Sequence, residues 1–190
     1  MLKQLSYILV LLSLSFFLID CSNSNEPETV KNLLANSDME SGRYGFAIEW
    51  VKSTQPTNYL MVWDTTTYVS PNHSLKIYSD DSNSPAAYWI QSVDANVPIG
   101  KNLTLTVMLK IDNIEGSGVN IGAAGWDENG HTVSYSSNNI NERITGTHDW
   151  QEYKLEVAPF TNEVTSFGVV LRLNDHSTGT VYFDDVKLEY

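Results

Sequence analysis

Leu103-Thr104-Leu105-Thr106-Val107-Met108-Leu109-Lys110-Ile111 decides the fold. Leucine, valine and isoleucine take every second position, with threonine, methionine and lysine between them. A period of two is that of a strand with one buried face. The same alternation recurs at Leu75 and Ile77, at Val119, Ile121 and Ala123, at Tyr153, Leu155 and Val157, and at Phe167, Val169, Leu171 and Leu173. Turn signals separate these runs: Pro98 with Gly100, Gly116-Ser117-Gly118, Asn129-Gly130 and Ser177-Thr178-Gly179. No stretch shows sustained helical periodicity, and no internal repeat follows residue 32. Many short strands, each with one apolar face, predict an all-β fold, a two-sheet antiparallel β-sandwich of jelly-roll type. The strands at 101–112 and 164–173 are expected to be central.

Upstream of the first strand the chain changes character. Lys3 precedes an apolar run from Leu5 to Ile19, too short for a comfortable bilayer span and suited to a signal segment. The chain's one cysteine, Cys21, follows at once. This arrangement resembles a bacterial lipoprotein signal, although Asp20 stands where a small residue is usual. The expected organisation is a signal at 1–20, a flexible tether at 21–32 and one domain at 33–190. Cys21 is the expected lipidation site, and the expected location is the bacterial cell envelope. There the lipid anchor would be the only membrane contact, with the domain exposed to the periplasm or the cell surface. Residues 22–31 are almost devoid of apolar side chains, as a tether requires.

Eleven basic residues against 23 acidic ones give a net charge of −12. That balance argues against nucleic acid and against anionic membrane surfaces as partners. A single cysteine rules out a disulfide within the chain.

The C-terminal run Val181-Tyr182-Phe183-Asp184-Asp185-Val186-Lys187-Leu188 places two adjacent carboxylates inside an apolar strand. If buried, they need a cation or several hydrogen-bond donors. If exposed, they are edge-strand acids. Another acid, Glu40, stands near the start of the domain, so an oxygen-rich site could tie the two ends together.

Several patches, in order along the chain, resemble the carbohydrate-binding modules of families 4, 9 and 22, which are jelly-roll domains of the galactose-binding-like group. Asn32-Leu33-Leu34 with Asn36-Ser37-Asp38-Met39-Glu40-Ser41-Gly42 is similar to their opening "N-G-x-F-E-x-G". Ser74-Leu75-Lys76-Ile77 is similar to "S-L-K-V", Gly146-Thr147-His148-Asp149-Trp150 to "G-T-x-D-W", and Gly179 to Leu188 to "G-T-x-Y-x-D-D-V-x-L". The resemblance covers residues 33–190. It implies framework roles for Trp50 and Trp150. It also implies a structural calcium held by Glu40 and Asp184, with Asp185 as a second candidate and carbonyls from the loop before Ser74. Calcium takes six to eight oxygen ligands of these kinds.

Strand parity assigns the ligand face. With Val119, Ile121 and Ala123 inward, Trp126 shares the outward side with Gly122 and Ala124, which leaves open floor beside an indole. Arg172 lies outward on its own strand and can offer a forked hydrogen bond. Tyr78, Trp89 and Gln91 are further candidates, although the parity of 86–93 reads either way. The chain carries no G-x-S-x-G or H-E-x-x-H motif. The expected function is non-catalytic binding of an oligosaccharide or polysaccharide. The alternative is a structural or adhesive surface protein with the same sandwich and no sugar ligand. An open aromatic platform beside a groove favours the first; wholly buried aromatics favour the second.

Overall fold

The computed structural model describes residues 31–53, 59–138 and 143–190. The expectations for the signal, Cys21 and most of the tether lie outside those residues. Eleven strands run β1 (Gly42–Arg43), β2 (Phe46–Ala47), β3 (Val51–Lys52), β4 (Tyr59–Asp64), β5 (Ser74–Ser79), β6 (Ala87–Ser92), β7 (Leu103–Trp126), β8 (Thr132–Ser137), β9 (Ile144–Val157), β10 (Ser166–Leu173) and β11 (Thr178–Glu189). No helix occurs among the described residues. The strands pair antiparallel along the path β3-β6-β10-β7-β11-β5-β4, with β8 and β9 also on β7 and the β1–β2 hairpin apart. This is the expected all-β jelly roll.

β7 organises both layers. Its first half, Leu103–Asp112, pairs with β11 and β9, and its second half, Val119–Trp126, pairs with β10 and β8. The Gly116-Ser117-Gly118 stretch, expected to be a turn, bends the strand without ending it. Gly116 and Gly118 take φ near +83° and +82°, which a side chain would resist, and the β9 register slips across this region. A Cβ on Gly116 would also strike the His176 carbonyl.

The core forms where the alternating faces meet. Leu105, Val107, Leu109 and Ile111 of β7, Val169 and Leu171 of β10, and Val181 and Phe183 of β11 are all fully buried. The chain ends are joined across this core. Leu33 N–H donates to the Leu188 carbonyl at 2.8 Å, Leu188 N–H to Asn32 Oδ1 at 3.0 Å, and Val186 N–H to the Ser37 carbonyl at 2.9 Å.

Trp89 and Gln91, expected as ligand contacts, belong to the interior, each 1% exposed. Parity on β6 puts Ala87, Trp89 and Gln91 inward. The Trp89 indole donates to the Lys76 carbonyl of the other layer at 3.3 Å. Gln91 pairs with both backbone groups of Ala35 at 2.9 Å and so holds the N-terminal segment. Its polarity served the backbone, not a ligand. Trp50 is buried, with its indole donating to the Asn36 carbonyl at 3.0 Å. Trp150 is half-buried and meets Tyr182 at 6.4 Å between ring centres.

Candidate functional site

Two regions draw together the residues singled out in the sequence. One is the clasp at the chain ends. Asp184 is fully buried on β11, where a bulge follows it and Asp185 takes φ +44°. Its Oδ2 accepts Val69 N–H at 2.7 Å and Ser70 N–H at 3.0 Å; its Oδ1 accepts the Ser70 hydroxyl at 2.6 Å and Asp185 N–H at 2.7 Å. A carboxylate has about four lone-pair directions, and four donors occupy them. The Ser70 hydroxyl also reaches the Asp38 carbonyl at 2.8 Å. Glu40 holds the other end of the same loop, accepting His73 N–H at 3.0 Å and facing His73 Nδ1 at 3.1 Å. Trp63 stacks on His73 at 3.7 Å between centres and donates its indole N–H to the Met39 carbonyl at 2.6 Å.

Burial pushes the Asp184 carboxyl above the usual range, and the hydrogen bonds from Ser70, Val69 and Asp185 oppose it. Of the two ways to compensate buried acids, this arrangement supplies donors. As placed, Asp184 and Glu40 spend their oxygens on protein donors and not on a cation. Asp184 has no free lone pair, and both Glu40 oxygens face His73. No group of three or more His, Cys, Asp or Glu side chains disposed to hold a metal occurs among the described residues.

The second region is a groove on the outward face of β6, β10, β7 and β8. Cross-strand register sets its rows. Tyr88, Arg172 and Asn120 form one. Ile90, Val170, Gly122 and Ser137 form the next, and Ser92, Gly168, Ala124 and Tyr135 the third. Ser166, Trp126 and Thr132 close the series. Small residues therefore floor the centre, and Tyr88, Trp126 and Tyr135 flank it. Tyr135 lies over Gly122, where any Cβ would come within 2.9 Å of its hydroxyl. The Tyr135 hydroxyl donates to Asn120 Oδ1 at 2.9 Å.

Two connected cavities result. One of about 200 Å³ is lined by Tyr88, Ile90, Trp126 and Val170 among others. One of about 310 Å³ is lined by Asn120, Asn138, Arg143, Asn174 and Asp175 among others. Arg172 and Tyr135 belong to both. Ligand pockets commonly fall in the range of roughly 300–1,000 Å³. Burial pushes the Tyr135 phenol above its ordinary value, and the Arg172 guanidinium opposes that.

The groove thus brings together Trp126 and Arg172, as strand parity had placed them. Tyr78 does not join them. It lies on β5 opposite Thr180 and Leu60, in the other layer, and is 37% exposed there. Tyr88, Tyr135 and Arg143 were not anticipated. Parity on β6 would have found Tyr88, and Tyr135 sits at an alternate position of Thr132–Ser137.

No protein-family model matches the chain, and no curated protein matches it. Solved structures do. The enzymatically active domain of bacteriophage CBA120 tailspike protein 4 superposes with a TM-score of 0.61 at 15% identity, over 83% of this chain and 21% of that one. The CBM22-1 xylan-binding domain from Paenibacillus barcinonensis Xyn10C gives 0.55 at 12% identity, over 84% of this chain and 94% of that one. The family 11 carbohydrate-binding module of a Clostridium thermocellum cellulosomal cellulase gives 0.55 at 13%, over 84% and 93%. The fold is that of the β-sandwich carbohydrate-binding modules. The chain spans about a fifth of the tailspike chain and nearly the whole of the two modules.

Proposed function

We propose that this domain binds carbohydrate, as an oligosaccharide or a segment of polysaccharide, in the groove over β6, β10, β7 and β8, without chemical change to it. One observation carries the reading: Trp126, Tyr88 and Tyr135 flank a cavity whose lining between them includes Ala124, Val170 and Ile90. A pyranose ring has an apolar face that stacks on aromatic rings and a rim of hydroxyls that takes hydrogen bonds. Asn120, Asn138, Asn174 and Arg172 supply such partners along the groove. The xylan-binding domain of the same fold supports the same class of ligand.

Asp175 is the one acid among the described residues that line the groove, whereas hydrolysis of a glycoside generally uses two carboxyl groups. That supports binding without catalysis. The apolar run before Cys21 supports delivery to the cell envelope, with lipid on Cys21 as the anchor. Stable anchoring needs more than one acyl chain, as lipoproteins of this kind carry.

A glycan array probed with the purified protein tests the reading. Binding should be confined to a few related glycans and should be lost in Tyr135→Ala and Trp126→Ala. An array without signal, or signal indifferent to both substitutions, would refute it.

A further inference from the structure

The chain has only three arginines, Arg43, Arg143 and Arg172, and two of them line the same 310 Å³ cavity. Arg43 is spent elsewhere, lying over the Tyr44 ring. Neither Arg143 nor Arg172 enters an ion pair among the described residues. The pairs found there are His73–Glu40, Lys110–Asp149, His131–Asp127, Lys154–Glu152 and His176–Asp175. Arg172 is half-buried, and its Nε is enclosed without a hydrogen-bond partner. The one carboxylate on the cavity wall among the described residues, Asp175, is 56% exposed and leans toward His176 Nε2 at 4.0 Å.

Two guanidinium groups converging on one cavity are unusual in a chain of net charge −12. Neutral sugar hydroxyls do not require them, because the asparagines, serines and tyrosine of the same wall already offer donors and acceptors. An enclosed guanidinium N–H without an acceptor is a costly arrangement, and the side chain that carries it lines the cavity. The group that best meets a planar fork is a planar carboxylate, which accepts two parallel N–H bonds. On a glycan that group is the carboxylate of a uronic acid. The overall negative field repels polyanions, so attraction must come from the cavity itself and persist once salt has screened the long-range term, with a Debye length of about 8 Å near physiological ionic strength.

We infer that the groove is selective for uronate-containing glycans, with Arg172 and Arg143 taking the sugar carboxylate and Tyr135 and Trp126 flanking the rings. This rests on the carbohydrate-binding reading and adds the ligand's chemical class. Arg172 lines both cavities, so a carboxylate held there leaves a neighbouring ring of the chain beside Ala124, Val170 and Trp126.

The full-length protein is titrated calorimetrically with polygalacturonate and with alginate, each beside its neutral ester, in calcium-free buffer near 150 mM salt. Dextran sulfate and neutral xylan are run in parallel. The acid form of at least one polyuronate should bind tenfold or more tighter than its ester. Arg172→Gln and Arg143→Gln should each remove most of that difference, bringing the acid form down towards its ester. Arg143 is exposed, so Arg143→Gln keeps the test open if Arg172→Gln fails to fold, and melting curves identify that case. Esters or xylan bound as tightly as the acids would overturn the uronate inference and leave sugar binding standing. Dextran sulfate bound as tightly as the acids would show general anion attraction and also overturn it. No binding to any of these polymers, together with a silent glycan array, would remove both the inference and the reading beneath it.

Discussion

Asp184→Asn isolates the contribution of the clasp that joins the chain ends. The substitution keeps the side chain's shape, removes its charge and turns one acceptor oxygen into an NH2 group. With the new carbonyl set against Val69 N–H and Ser70 N–H, the NH2 faces the Ser70 hydroxyl and Asp185 N–H. Ser70 Oγ can accept from it while turning its own proton to the Asp38 carbonyl. Asp185 N–H has no such escape. One stranded amide costs about 1–3 kcal/mol, and exchanging two charge-assisted bonds for neutral ones costs about 1 kcal/mol each. The expected loss is about 3–5 kcal/mol, a large share of a domain stability of roughly 5–15 kcal/mol. Urea denaturation measures it as a fall in the midpoint at constant slope. A loss under about 1 kcal/mol would refute the reasoning, because the four bonds would then not be holding the carboxylate.

The same pair of proteins carries a pH signature. Burial raises the Asp184 carboxyl above its unfolded value, so the folded state holds that proton more tightly. This contribution to stability is fully present below the ordinary carboxylate range and declines as pH rises through the raised value. The wild-type advantage over Asp184→Asn should therefore shrink from acid to neutral pH; an advantage that grows would contradict it.

Since donors already fill the Asp184 lone pairs, EDTA and added calcium should both leave the melting temperature unchanged; a rise of several degrees with calcium would show that the loop rearranges around a metal. Gly122→Ala should push Tyr135 or the Ser136 carbonyl aside, costing about 1–3 kcal/mol of stability and weakening glycan binding. Unchanged affinity in calorimetry would place the ligand elsewhere. Mass spectrometry of the mature N-terminus should find acyl chains on Cys21, and a free thiol there would rule out the anchor.

Much of the fold is legible in the sequence because each strand alternates cleanly. Leu103–Ile111 and Phe167–Leu173 announce their buried faces without help from the rest of the chain. β6 is different. Ala87-Tyr88-Trp89-Ile90-Gln91 carries large apolar groups in both phases, and its one polar inward residue, Gln91, looks like a surface residue until Ala35 is seen beside it. Glycines at 116 and 118 mark a turn or a bend equally well in sequence, and only β7's pairing with both layers decides for the bend. In the groove, Trp126 and Arg172 follow from parity on adjacent strands. Arg143 does not, because it precedes β9 and reaches the cavity through the packing of β8 and β9 on β7. The clasp shows the same limit. Glu40, Asp184 and Asp185 are visible as acids near the chain ends, but the donors that satisfy Asp184 come from Val69 and Ser70 in a loop without strand periodicity.

The indole N–H resonances of the five tryptophans, followed by NMR during titration with a bound oligosaccharide, test the central claim most directly. Trp50, Trp63 and Trp89 donate to the carbonyls of Asn36, Met39 and Lys76 away from the groove, so their resonances should stay in place. Trp150 lies beside Tyr182 in the other layer and should also stay. The account predicts that Trp126 alone shifts, saturating with the calorimetric stoichiometry. A shift of Trp150 or Trp63 with Trp126 unmoved would contradict it.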